Sequence, residues 1–323
     1  MTAPLSIGII GAGIMGERLL RAILDQPADL VAVSGIWDPS AAALERVTTA
    51  LPAIRALPDA ASLIAASDSV YIASPPASHI GHARAALAAG KPVFCEKPLA
   101  VDVDDARAFV AEAGARGAVN FPFASSSAVA ALRGWIAQGA VGAIKGVTIE
   151  VGFRTWPRPW QADAAAWLDA TAQGGFTREV VSHFLFLTRR VVGPLSGLAA
   201  SAAFPEPGLS ERMIAATLRA GNVPVTLRGD VGNTEKDDHN LWTLSGQNGA
   251  VRLRDWSIAE RRQPDGSWLP ARDALPNEKA RPLALKRQLD GVVAMARGEP
   301  HHLATLQEAL EVQEIVEAIL QGR

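Results

Sequence analysis

Three groups of residues have types and spacings that chemistry can use. The first is Gly11-Ala12-Gly13-Ile14-Met15-Gly16, a G-x-G-x-x-G pattern between an apolar run and a helical one. Gly11 permits a tight turn, Gly13 lets backbone approach a pyrophosphate, and Gly16 lets the helix pack against the preceding strand. Backbone N–H groups around Ile14 and Met15, at the helix start, would point at that pyrophosphate. The second group is Cys95-Glu96-Lys97-Pro98, whose lysine can lend a proton or a positive charge to a reacting oxygen. The plainer alternative is a solvated lysine or a partner for Glu96. The third is Glu179 with His183, four apart and so on one helix face, a carboxylate and an imidazole able to handle a proton. An ordinary surface pair on an amphipathic helix would look the same.

The glycine pattern gains weight from its surroundings. The apolar run Leu30–Trp37 ends at Asp38, roughly 20 residues past the glycines, where a dinucleotide fold places the carboxylate that binds the adenosine ribose. Otherwise Asp38-Pro39-Ser40 would only make a turn and cap a helix. A carboxylate there repels a 2′-phosphate, and no Lys or Arg lies between Pro39 and Glu45 to offset it. The expected cofactor is therefore NAD, with NADP open to a more distant arginine folding in. Ser74-Pro75-Pro76-Ala77-Ser78-His79 follows another apolar run, and its prolines stop a strand sharply. Ligands bind outside the carboxyl ends of parallel strands, so Ser74 and Pro75 are expected to border the cofactor. His79 is a candidate contact, against the alternative of local packing. Glu96 and Lys97 follow the next strand and share that placement, with Lys97 toward the nicotinamide.

The elements that must position these residues alternate as far as Phe121. Strands are expected at Ser6–Ile10, Leu30–Trp37, Ala53–Ala56, Ser69–Ala73, Pro92–Cys95 and Ala118–Phe121. Helices fall between them at Ile14–Leu24, Ala41–Ala50, Asp59–Ala65, Ile80–Ala89 and Val103–Ala115, the last capped by Asp102 and stopped by Gly117. Right-handed crossovers turn this into an α/β Rossmann domain over 1–121, a doubly wound parallel sheet. The rhythm then changes. A helix at Ser125–Gln138 and strands at Ala143–Arg154, Leu195–Phe204, Glu211–Ala220, Val223–Val231, His239–Ser245 and Ala250–Asp255 follow, with turn signals at Gly221-Asn222 and Gln247-Asn248-Gly249. Helices at Thr177–Val191, Ala280–Arg297 and Leu306–Gln321 would cover one face. This is an α+β domain over 122–323 with a large open, mostly antiparallel sheet.

The whole chain sets limits on partners. Its 323 residues suggest two domains, and 49% hydrophobic residues suffice for substantial cores. A net charge of −2 without basic runs argues against nucleic acid. The one cysteine, Cys95, rules out an intrachain disulfide and a cysteine-built zinc site. No signal peptide and no membrane-spanning run is read, so a soluble cytoplasmic protein acting on a small molecule is expected. Near the second domain's first strand, Arg154-Thr155-Trp156-Pro157-Arg158-Pro159-Trp160 joins tryptophans to arginines. Trp156 is a candidate substrate contact, because tryptophan stacks on flat or apolar ligand faces. Asn120, at the last Rossmann strand, is another, and both have packing as the alternative.

The glycine pattern, Ser74-Pro75-Pro76 and Glu96-Lys97-Pro98 occur in order with suitable gaps. In this the sequence resembles the glucose–fructose oxidoreductase, inositol dehydrogenase and rhizopine-catabolism (Gfo/Idh/MocA) family, most densely over 5–121. The resemblance implies a lysine beside the nicotinamide and the reacting carbon, fitting Lys97. It also implies a Gly-Gly pair, an aspartate and, four residues on, a histidine that serves as acid/base or substrate anchor. Here these are Gly174-Gly175, Glu179 and His183, so a glutamate stands where the family has aspartate. Arg178 beside it would neutralise Glu179, face solvent or bind an anionic substrate group. The resemblance further implies a homo-oligomer, dimer or tetramer, paired through the second domain's sheet.

Together these imply an oxidoreductase moving a hydride between a nicotinamide and a carbinol or carbonyl carbon of a sugar, polyol or cyclitol. His183 would be the base, Lys97 would polarise the oxygen, Glu179 would steer, and no metal would be needed. The glutamate leaves other readings open: an imine reductase, an NAD(P)-binding sensor without turnover, or a lyase or hydrolase using NAD transiently.

Overall fold

A computed structural model describes residues 3–322. The chain divides into two compact units. One comprises the described residues up to Ala124 together with Pro282–Leu310; the other comprises Ser125–Arg281 and the described residues from Glu311 onward. The sequence pattern suggests a single break after Phe121, whereas the chain returns to the first unit.

In the first unit the elements are β1 (Leu5–Ile10), α1 (Ile14–Leu24), β2 (Val31–Trp37), α2 (Ala41–Ala50), α3 (Ala60–Ala65), β3 (Ser69–Ile72), α4 (His79–Ala88), β4 (Val93–Cys95), α5 (Val103–Ala113) and β5 (Gly117–Val119). The five strands run parallel in the order β5-β4-β3-β1-β2. The order reverses between β1 and β3, so the glycine loop after β1 and the Ser74 loop after β3 flank the switch point, where such sheets bind ligands. The central strands lie between layers of helices, and β3 is buried along its whole length. This explains its unalternated Ser-Val-Tyr-Ile run.

Two expectations need correction. Ala53–Ala56 makes no strand, only one parallel bridge from Ala56 to Ile36. Pro52 and Pro58 bracket the segment and withhold the N–H groups a longer ladder needs. Helix α5 stops at Gly114, whose φ of 61° is the left-handed turn glycine favours. Gly117 instead opens β5. The expected parallel sheet is present, and a short strand at Ala304–Thr305 extends it by pairing antiparallel with β5.

The second unit contains α6 (Ser127–Ala137), β6 (Ile144–Phe153), α7 (Ala165–Leu168), α8 (Ser182–Val191), β7 (Leu195–Ala203), β8 (Met213–Ala220), β9 (Val223–Val231), β10 (His239–Gly246), β11 (Ala250–Arg254), β12 (Ile258–Arg262) and β13 (Trp268–Pro270). The chain continues through α9 (Asn277–Ala296), the edge strand β14 (Ala304–Thr305) and α10 (Leu306–Leu320). Eight strands form one sheet in the order β13-β12-β11-β10-β6-β9-β8-β7, antiparallel except for β6 beside β9. Gly221-Asn222 makes the two-residue hairpin between β8 and β9, with Ala220 opposite Val223. Sequence pattern misses β12 and β13, since Ile-Ala-Glu-Arg-Arg and Trp-Leu-Pro carry no apolar alternation.

Helix α8 packs on the sheet through Trp242 of β10, which is fully buried and donates its indole N–H to Thr188 Oγ1 at 2.8 Å. From Pro282 onward α9 belongs to the first unit, and Leu289, Val292 and Val293 join the core built on Ile7, Ile9, Tyr71 and Phe94. The expectation that this helix covers the open sheet is corrected accordingly. Trp242→Ala should cost the second unit about 3–5 kcal/mol. Hydrogen exchange of the β10 amides should rise correspondingly, and unchanged protection would mean that Trp242 is not what ties α8 to the sheet.

Candidate active-site residues

Each glycine of the first motif has a distinct steric reason. Gly11 has φ of 106°, and a Cβ on it would come within 2.6 Å of the Ala73 carbonyl. A Cβ on Gly16 would lie 1.9 Å from Gly11 O, so helix and turn touch backbone to backbone. A Cβ on Gly13 would meet nothing within 4 Å. Gly13 is also the N-cap of α1 and offers no side chain to its first N–H groups, next to Ile14 and Met15. Open space and uncapped donors suit a pyrophosphate. Asp38 closes the loop: Oδ2 accepts from the Ala12 N–H at 2.8 Å, and Oδ1 from the Ser40 N–H at 2.8 Å. The carboxylate therefore stands at the end of β2 beside the glycines, as ribose recognition requires.

Arg46 directly follows Glu45, just outside the Pro39–Glu45 stretch that lacks a basic residue. It donates to Ala12 O at 2.6 Å and to Glu17 at 2.6 Å. The helical turn of α2 brings it back to the glycine loop, and its position just past Glu45 was the available signal. Together with Arg21 it holds the Glu17 carboxyl below its ordinary range.

The two proline loops are pinned together by His79. Its Nε2 lies 2.7 Å from Ser74 O and its Nδ1 2.8 Å from Pro98 O, with the ring buried. Burial pushes this imidazole below its usual value, and the Lys97 charge adds to that, while the two carbonyls oppose it. Both ring nitrogens thus face backbone carbonyls, which corrects the expected cofactor contact. Ser74 carries its hydroxyl 2.7 Å from Ser78 Oγ, and Pro75 O accepts from Ser78 Oγ at 2.9 Å. The Lys97–Pro98 peptide is cis.

Glu96 points inward. It is buried, accepts the Tyr71 hydroxyl in a short hydrogen bond, and accepts Asn120 Nδ2 at 2.6 Å. Asn120 Oδ1 in turn accepts from Gln288 Nε2 at 2.7 Å, which commits that amide within its own unit. Burial, and then the charge of Glu96, raise the Tyr71 phenol well above its ordinary value. Glu96 and Asn120 are therefore a buried network below Lys97, correcting their expected roles as cofactor and substrate contacts. Lys97 is half-buried and leaves the carboxyl end of β4 between pinned neighbours.

The His183 segment in the second unit is irregular. Residues Thr177–Val181 form a π-turn, and α8 begins at Ser182. Such turns gather at functional sites, and they break the regular four-residue stacking expected of Glu179 and His183. Glu179 is half-exposed while His183 is buried. Gly174 and Gly175 are required because Cβ atoms there would come within 2.3 Å of Leu168 O and of Glu211 Oε2 respectively. Gly175 also has φ of 101°.

Glu211, which sequence reading takes as the start of a strand, reaches back under this turn. Its Oε1 accepts from Thr177 N–H at 2.7 Å and Thr177 Oγ1 at 2.6 Å. Burial pushes the Glu211 carboxyl up, against the pull of those bonds and of the Arg178 charge. Arg178 is a brace and not a receptor for a substrate anion. It forks onto Glu317 at 2.6 and 2.7 Å and donates to Thr171 O and Gly174 O.

Trp156 is core. It is buried against Phe153 and Phe176, with its indole N–H on Leu168 O at 3.3 Å, which corrects its expected substrate contact. Arg158 beside it is buried on Asp238 at 2.7 Å, and Asp238 also accepts the Trp256 indole N–H at 3.1 Å. Trp256 meets the His183 ring edge to face at 5.4 Å. Neither Asp238 nor Trp256 carries a sequence signal, since both lie in polar loop stretches.

The switch-point glycines, the acid ending β2 and the lysine loop after β4 lie together in an NAD-binding Rossmann domain. A family model described as oxidoreductase family, NAD-binding Rossmann fold, matches residues 5–122. Over these residues the chain is similar to the Gfo/Idh/MocA oxidoreductases. No curated protein matches the sequence. Solved structures share the fold over almost the whole chain. One is an oxidoreductase from Agrobacterium radiobacter in complex with NAD+, L-tartaric acid and magnesium, at 20% identity and TM-score 0.83, covering 99% of this chain and 96% of that one. Another is the WlbA dehydrogenase from Bordetella pertussis in complex with NADH and UDP-GlcNAcA, at 22% identity and TM-score 0.82, covering 100% and 96%. A third is a myo-inositol dehydrogenase from Corynebacterium glutamicum, at 19% identity and TM-score 0.77, covering 99% and 96%.

Three outcomes follow from this geometry. Asp38→Ala should weaken NAD roughly tenfold or more and, with Arg46 left beside the loop, narrow the preference over NADP. Titrating both cofactors tests this, and an unchanged preference would assign ribose reading to another group. Gly175→Ala should destabilise the second unit by about 2–4 kcal/mol, from left-handed strain plus overlap with Glu211. Because Glu211 is raised, its contribution is complete below the ordinary carboxylate range and is lost as pH rises through the elevated value. Glu211→Gln should flatten that fall in denaturant midpoints measured across pH.

Proposed function

We propose that this protein is an NAD-dependent dehydrogenase of the CH–OH type. It moves a hydride between the nicotinamide and a carbinol or carbonyl carbon of a sugar, polyol or cyclitol. The observation that carries the reading is the setting of Lys97. It leaves β4 at the ligand-binding edge of an NAD-binding sheet, with Glu96 locked to Tyr71 and Asn120, and Pro98 O held by His79. A lysine whose neighbours are fixed on both sides is suited to meet one atom of a substrate. The myo-inositol dehydrogenase and the UDP-GlcNAcA complex among the similar structures support a hydroxylated ring as substrate.

When bound, NAD supplies the hydride acceptor, and the protein supplies orientation and proton control. The Lys97 ammonium stabilises negative charge on the reacting oxygen. His183 takes the hydroxyl proton in oxidation and returns it in reduction. Glu179 orients the imidazole or a second hydroxyl. Its extra methylene, relative to the family's aspartate, is the observation that favours a second reading, in which NAD is bound without net turnover. The protein is proposed to act in the cytoplasm as a homo-oligomer. The face of β6, β7, β8 and β9 that carries Thr148, Ala200, Ala215, Thr217 and Thr226 presents small, exposed or half-exposed side chains, over which copies would pair.

Incubation with NAD and a panel of sugars, polyols and cyclitols should give net NADH. Binding without turnover would instead support a sensor, and product without net NADH a transient-redox lyase or hydrolase. Lys97→Ala should lower kcat by about 10²–10⁴-fold while sparing NAD affinity. Unchanged turnover would remove Lys97 from the chemistry.

A further inference from the structure

The Arg154–Trp160 segment has no place in the mechanism above, and neither has the turn between β11 and β12. They meet at one carboxylate. Among the described residues, Asp255 and Trp256 are the non-glycine residues with left-handed φ, at 46° and 71°. Aspartate tolerates that conformation, but for a bulky aromatic it is strained. Arg254 pairs with Ile258, so the turn is a three-residue hairpin loop, where glycine is the ordinary occupant of the left-handed position.

Trp256 is then held in place from several sides. Its ring lies 5.4 Å from His183 at 76° and 5.3 Å from Phe184. Its N–H donates to Asp238 Oδ2 at 3.1 Å. Asp238 Oδ2 also accepts from Arg158 at 2.7 Å, and its Oδ1 accepts the Asn240 amide in a short bond. Arg158 is itself clamped, with Nε on Gln161 Oε1 at 2.9 Å and its guanidinium 4.8 Å from the Trp160 ring and 5.5 Å from the Trp156 ring. The tryptophan–arginine loop thus acts at one remove, by fixing the carboxylate that fixes the indole. Packing alone does not call for this, because Trp256 remains half-exposed. Strained backbone persists where the surroundings over-determine it, and it gathers at functional sites.

We propose that Trp256 is a substrate-binding wall beside His183, taking the C–H face of a ring-shaped polyhydroxylated substrate on its indole. This rests on the reading of His183 as the proton-handling residue. A rigid aromatic plane held next to the imidazole selects rings over open chains, which cannot present a continuous apolar face without losing conformational entropy.

The test uses the NAD-loaded protein labelled with fluorotryptophan, with the Trp256 resonance assigned by its loss in Trp256→Phe. The probes are myo-inositol, glucose and UDP-N-acetylglucosamine, against open-chain sorbitol. The expected result is a shift of the Trp256 resonance by at least one ring probe and none by sorbitol. Trp256→Gly should weaken that ring probe roughly tenfold or more while keeping NAD affinity, the relieved turn offsetting part of the lost ring contacts. Trp256→Phe, which keeps a ring but loses the bond to Asp238, should fall between the two. A silent Trp256 resonance with every ring probe, or equal affinity in Trp256→Gly, overturns the proposal. Net NADH with a silent Trp256 sinks this inference alone. A shifted Trp256 without NADH sinks the dehydrogenase reading and leaves the binding wall standing.

Discussion

Irregular backbone carries the glycine loop, Lys97 and Glu179, and irregular backbone keeps its place only when its polar groups find partners. Buried and half-buried side chains meet that demand. In the nucleotide unit His79 ties Ser74 O to Pro98 O, and Asp38 ties Ala12 to Ser40. In the second unit Glu211 holds Thr177, and Asp238 holds Trp256 and Arg158. Each polar side chain is anchored on a regular element or its edge and reaches to a loop. The helices and sheets are the frame, and these few bonds transfer their rigidity to the chemistry.

The bonds differ in how they balance charge. Asp238 faces a guanidinium, so its charge is compensated directly. Glu211 relies on an N–H and a hydroxyl, and burial wins over them, pushing its carboxyl upward. Glu96 receives a phenol and an amide, which places a proton-rich, low-dielectric layer under Lys97. Low dielectric strengthens every hydrogen bond in that layer, and makes the loss of any one of them costly. The segment before Lys97 is accordingly stiff because it is buried and polar at once.

Much of the frame was legible in the sequence because period and glycine chemistry are local. The G-x-G-x-x-G turn, Asp38 at the end of β2, the Asp102 cap and the Gly221-Asn222 hairpin can each be read from a few neighbouring residues. What was not legible depends on contacts between distant positions. Pro52 and Pro58 reduce an apolar strand pattern to one bridge. The π-turn at Thr177–Val181 is held at its start by Glu211, more than thirty residues away. The same holds for Arg178, whose charge looks available until Glu317 arrives from α10. Polar residues near a motif invite a ligand role, yet most of them here serve the backbone that carries the motif.

The antiparallel strand β14 gives the nucleotide domain a debt to the ribosome. Its parallel strands are all translated by Val119, but β5 receives its outer neighbour only when Ala304–Thr305 leaves the exit tunnel. Leu289, Val292 and Leu303 of the same core arrive equally late. Until then the nascent domain carries an open sheet edge and an incompletely covered apolar face, the features that invite wrong pairing between chains. Vectorial synthesis therefore cannot finish this domain first, although it begins at the N-terminus. All the strands of the second unit's sheet are translated before the first receives its final layer.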